Sequence, residues 1–159
     1  MPVLACSLYV HEDSTGGQEI PPGGYHLVRF PYGAVESFDG HGMHEPEQPD
    51  GAVSQSPDER SGLIWPGAEG WATLEANLQW QSGRYTQLRD RFVRDPLALA
   101  GPADSTGTDH RPPSPGMQCF TKIHCIYVQP GVPLGLMVRH DDTVPRRLVH
   151  AQFKALIHT

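Results

Sequence analysis

Between Trp71 and Trp80 every second residue is apolar. Ala72, Leu74, Ala76, Leu78 and Trp80 alternate with Thr73, Glu75, Asn77 and Gln79. A period of two places the sets on opposite faces of a half-buried strand. Trp71, Leu74 and Leu78 also satisfy helical spacing, but Gly70 before the run and Ser82-Gly83 after it favour a strand entering a hairpin. The pattern returns near the end of the chain. Val149, Ala151, Phe153, Ala155 and Ile157 form one apolar face, with His150, Gln152, Lys154 and His158 among the residues opposite. Strands of this kind are stable only when their apolar faces are packed together, which points to an all-β architecture.

The punctuation agrees. Seventeen glycines and sixteen prolines in 159 residues exceed the roughly 12% of average usage, and both residues suit strand ends and turns better than helix interiors. Tyr25–Phe30 and Ala34–Phe38 read as short strands, and residues 39–61 as a long exposed loop. Gln118–Val128, almost continuously apolar and β-branched, reads as a central strand buried on both faces. Leu134, Leu136 and Val138 alternate up to His140. Residues 84–94 fit a strand or a helix about equally well, and residues 101–116 read as a second long loop. Six to eight short strands separated by turns predict a sandwich or barrel, with residues 1–22 as an N-terminal arm and 23–159 as the folded domain.

The formal charge is −6 and no basic stripe is visible. Arg89, Arg91 and Arg94 are interleaved with Asp90 and Asp95, so a nucleic-acid backbone is not the expected partner. No run approaches the roughly 20 apolar residues of a membrane span. The apolar start lacks a basic leader, and His11, Glu12 and Asp13 follow at once, so folding in a cytoplasm is expected. Three cysteines do not make a secreted disulfide framework. Cys119 and Cys125 would lie about 20 Å apart on a straight strand, too far to bond, and are expected to be small buried hydrophobes; a Cys6 pairing across the fold stays open.

The one metal-like constellation is Gly40-His41-Gly42-Met43-His44-Glu45, to which His140 could add a third imidazole. Its His-x-x-His spacing in a glycine-rich loop does not project both rings the same way, as two histidines on one strand face would. Solvated loop histidines, with no metal and no cofactor, are the expectation; whether His41, His44 and Glu45 ever bind a metal stays open. His124 and His150 are expected as core or sheet-face residues. Glu45, Glu47, Asp50, Asp58 and Glu59 could include a glycosidase pair, but a solvated loop is the simpler reading. Trp65, Trp71 and Trp80 could line a carbohydrate platform, with core packing expected of Trp80. No Gly-x-Ser-x-Gly elbow, phosphate-cradling loop or Cys-x-x-Cys pair occurs, and no catalytic residue is assigned.

The passage Ser61-Gly62-Leu63-Ile64-Trp65-Pro66-Gly67 leading into the alternating strand to Trp80 resembles jelly rolls of the tumour-necrosis-factor and complement-head type, as found in tailed-bacteriophage tail and capsid-associated proteins. Phe38-Asp39 is similar to their usual entry. Val128-Gln129-Pro130-Gly131-Val132-Pro133-Leu134 through Phe153-Lys154-Ala155-Leu156-Ile157 resembles their last three strands. This resemblance implies an antiparallel jelly-roll sandwich, a homotrimer, and a non-catalytic structural component of a virion in contact with other virion proteins. The alternatives are a carbohydrate- or receptor-binding module on the same fold and a cupin-type metal enzyme.

Overall fold

The computed structural model describes residues 2–159. Among them nine strands form two antiparallel sheets: β1 (Val3–His11), β2 (Gln18–Ile20), β3 (His26–Leu27), β4 (Gly70–Trp80), β5 (Leu88–Arg94), β6 (Asp104–Arg111), β7 (Gln118–Val128), β8 (Leu134–His140) and β9 (Arg146–His158). The larger sheet has the order β1-β9-β4-β7, with β2 also paired to β9; the smaller runs β3-β8-β5-β6. Among the described residues helix is confined to α1 (Glu12–Thr15) and two 3-10 turns, none long and apolar enough to cross a membrane.

The alternating runs fold as their period requires. Ala72, Leu74, Ala76, Leu78 and Trp80 of β4 and Ala151, Phe153, Ala155 and Ile157 of β9 are buried and face the smaller sheet. There Phe92 of β5 stacks on Phe153 with ring centroids 5.9 Å apart. Leu134, Leu136 and Val138 of β8 join the same core. Gly70 admits β4 beside β9, because a Cβ there would collide with the His158 carbonyl oxygen.

Four sequence expectations are revised. Residues 3–11, expected within an arm, pair with β9 from Val3↔His158 to His11↔His150, and Cys6, Leu8 and Val10 are core; Met1 of the expected arm lies outside the described residues. Ala34–Phe38 is no strand but a 3-10 turn at Gly33–Val35 followed by one bridge, Ser7↔Phe38. Residues 104–111, expected as loop, form β6 at the rim of the smaller sheet. A rim strand with no core-facing apolar set leaves little trace in hydropathy. Gly107, at φ 58°, accommodates the register shift opposite Asp90–Phe92. Finally, β7 is not central. It ends the larger sheet, and its outward residues are exposed. The ambiguous stretch 84–94 resolves as β5, a strand between β8 and β6.

Candidate functional site

The orientation of β7 sets the surface chemistry of the molecule. Register with β4 turns Gln118, Phe120, Lys122, His124, Ile126 and Val128 inward, opposite Trp80, Leu78, Ala76, Leu74, Ala72 and Gly70. Cys119, Thr121, Ile123, Cys125 and Tyr127 therefore point out and are exposed. The inward Lys122 is tolerated because it is fully paired. Its Nζ lies 2.8 Å from Asp90 Oδ1 and 2.9 Å from Asp109 Oδ2, and it donates to the Gly107 carbonyl. Arg111 Nε completes the cluster 2.7 Å from Asp90 Oδ2. Burial works to raise the Asp109 carboxyl, but Lys122 and Arg111 outweigh it and hold the group below its usual range. The cluster joins β7 to β5 and β6 between the sheets.

One end of the outer face of the larger sheet is apolar. Trp71 is 61% exposed and Ile123 65%. Trp71 stands across from Tyr127, with the rings edge to face at 5.6 Å. The Tyr127 hydroxyl donates to the Glu69 carboxylate, and that bond, followed by burial, raises the phenol. Thr73 lies between Cys125 of β7 and Leu156 of β9. Val3, at the start of β1, is also exposed, with the exposed His158 in register between it and Trp71. The middle of the face is polar: Glu75 lies opposite Lys154, and Asn77 Nδ2 donates to Thr121 Oγ1 at 2.9 Å. The far end carries His11 and His150. Burial, then the neighbouring His11, keeps His150 below the usual histidine range.

The loop constellation is otherwise employed. The buried His44 ring lies with Nδ1 3.0 Å from Glu36 Oε1 and Nε2 2.7 Å from the Ser61 carbonyl oxygen, and it stacks on Tyr32 at 4.4 Å. Asp39 accepts the Met43 and His44 amides. His41 Nδ1 meets the backbone of Ala5. Glu45 is exposed; burial and the Asp39 and Glu36 carboxylates nevertheless raise its carboxyl. His140 is apart from them, in the core beside Trp80 and Tyr85, with Nε2 2.8 Å from the Ile20 carbonyl oxygen. His41, His44, Glu45 and His140 are thus not brought together. Of the loop acids, Asp50 pairs with Arg60 at 2.9 Å and Asp58 caps the Ser61 amide at 3.0 Å. Trp65 and Trp80 are buried and Trp71 is not. Cys6 is buried and unpaired, whereas Cys119 and Cys125, expected to be buried, are exposed, because they occupy outward positions of a rim strand.

No family model matches the chain, and no curated protein matches its sequence. Solved structures do resemble it. The globular domain of a zebrafish complement 1qA protein superposes with a TM-score of 0.62 at 12% identity, over 98% of each chain. Eiger TNF from S. frugiperda gives 0.62 at 10%, over 100% of this chain and 94% of that one. Murine APRIL gives 0.57 at 8%, over 97% and 99%. This likeness covers the whole length and reaches the fold of the sequence resemblance, though not its bacteriophage setting: the chain is a jelly-roll β-sandwich of the tumour-necrosis-factor and complement-head type.

Proposed function

We propose that this protein acts by assembly and without catalysis, as a homotrimer joined through the apolar end of its larger sheet. The observation that carries the reading is the orientation of β7. Phe120, Ile126 and Val128 face the core, and Ile123, Cys125 and Tyr127 are nonetheless turned outward and exposed. A folded chain turns a strand that way when another surface covers the outward side. An eleven-residue rim strand with exposed apolar side chains is also a liability that a monomer ordinarily blunts. Three-fold closure follows the resemblance read from the sequence, and closed rings of identical contacts are the ordinary solution for such surfaces. The narrower reading, a tail- or capsid-associated virion component made in a host cytoplasm and touching other virion proteins, rests on that resemblance alone; clustering of its gene among virion genes would support it.

Light scattering on the full chain at matched concentrations tests assembly. The expected mass is three times the 17.5 kDa of one chain. Ile123→Asp, at a solvent-facing position, should leave a folded monomer, since a desolvated unpaired charge at an interface costs several kcal/mol. A wild-type chain that stays monomeric at high concentration defeats the proposal. A glycan-binding module is the second reading, favoured by the exposed Trp71 and Tyr127 rings; a glycan screen with Trp71→Ala as control decides it.

A further inference from the structure

At the other end of the same face, about 26 Å along the strand from Trp71, His11 and His150 stand directly across β1 and β9. Their Nδ1 atoms are 3.1 Å apart. His11 Nε2 lies 3.1 Å from Asp13 Oδ2. An ionised carboxylate only accepts, so the proton of a neutral His11 ring sits on Nε2 and Nδ1 turns its lone pair towards His150. The Asp13 position is fixed locally: Thr15 Oγ1 accepts the His11 amide at 3.2 Å and donates to the His11 carbonyl at 3.1 Å, closing the α1 turn over the end of β1.

Two imidazole nitrogens bound to one tetrahedral cation, each at about 2.0–2.1 Å, are held about 3.3 Å apart. The observed separation is close to that value. A carboxylate on the remote nitrogen of one ring is the usual orienting partner of a metal-bound histidine. We propose that His11 and His150 bind a borderline divalent cation of the zinc, nickel and copper(II) class, with Asp13 as a positioning residue. Among the described residues no cluster of three or more histidine, cysteine or carboxylate side chains forms a metal cage. The site is therefore a two-nitrogen chelate whose other positions go to water, and it exchanges its cation freely. Nitrogen donors favour this class over magnesium or calcium. The His11 side chain is 36% exposed, which leaves an approach from solvent. Both ligands come from one chain, so the inference stands apart from the assembly reading.

Titration calorimetry with Zn²⁺ on the full chain tests it. One equivalent should bind, Mg²⁺ should not compete, and His11→Ala with His150→Ala should weaken binding at least tenfold. Asp13→Asn, at an exposed carboxylate, should weaken it by about tenfold without touching a ligand. The double variant keeps the seven other histidines of the nine, so equal Zn²⁺ binding by it and the wild type would overturn the proposal. Should the double variant not fold, the electron paramagnetic resonance spectrum of Cu²⁺ on the wild-type protein decides. Two equatorial nitrogens are expected, and a spectrum with one or none overturns the site.

Discussion

Single side chains carry unequal shares of this fold. Phe153 is fully buried, with Phe92 at 5.9 Å and Phe30 at 6.3 Å. Its replacement by alanine should cost about 3–5 kcal/mol, a large part of the roughly 5–15 kcal/mol that holds a domain of this size. Lys154→Ala, one position along and on the outer face, should leave the midpoint of denaturant unfolding nearly unchanged. Asp142 matters for a different reason. Its carboxylate accepts from the Arg84 amide at 2.7 Å, the Thr143 amide at 2.6 Å and Arg146 Nε at 2.6 Å. Burial works to raise this carboxyl, but those donors and the Arg146 charge outweigh it and hold the group far below its usual range. A carboxyl depressed in the folded state stabilises in full above its unfolded value of about 3.9, and that contribution drains away as the pH falls through the folded value. Asp142→Asn should therefore lose about 1.5–3 kcal/mol at pH 7, and the gap to the wild type should narrow at pH 3. Denaturant titrations at the two pH values check this.

Among the elements, β1 is the one most easily misjudged. In sequence it is a lone apolar stretch followed at once by His11, Glu12 and Asp13, which are marks of a loose arm. Yet it lends Cys6, Leu8 and Val10 to the core, and burying a Leu or Val side chain contributes about 1.5–3 kcal/mol. Deleting residues 2–11 should therefore abolish the folded state. A truncated chain with a native-like, predominantly β circular dichroism spectrum would show instead that the strand is dispensable. The alternating strands β4 and β9 were legible because each buries one face only, which hydropathy records directly. The rim strands were not. Asp104–Arg111 contains no apolar side chain at all; its only sequence marks are Thr106 and Thr108 between Pro102 and Pro112. Gln118–Val128 reads as central because its hydropathy suggests burial on both sides. The missing cue is Lys122, whose partners Asp90, Asp109 and Arg111 are brought to it only by the fold.

For the whole molecule, the same gap explains why the fold was legible in sequence and the surface was not. Fold class follows from period and punctuation, which are local. The apolar end of the larger sheet unites Val3, Trp71, Ile123, Tyr127 and Leu156, and His11 meets His150, only through β-pairing across the full length of the chain. No local window contains the whole of the first group or both histidines of the second. The loop histidines His41 and His44 resemble a ligand pair because they are neighbours in sequence, but the structure employs them in holding that loop to the sandwich.

That pairing of the first strand with the last has a consequence for how the protein is made. Of the nine strands Val3–His11 is synthesised first, and its hydrogen-bonding partner, Arg146–His158, after all the others. β4 waits as well, for β7 and then for β9 on its other side. Until β9 has been made, the nascent chain therefore carries Leu4, Cys6, Leu8 and Val10 with no partner strand to receive them. The larger sheet closes only once β9 is available, in a step that joins the first of the nine strands to the last. Contacts of such long sequence separation form slowly, and an unpaired apolar strand in the meantime is what chaperones bind. Synthesis of this small domain is thus bound to a holding period that its compact final shape does not reveal.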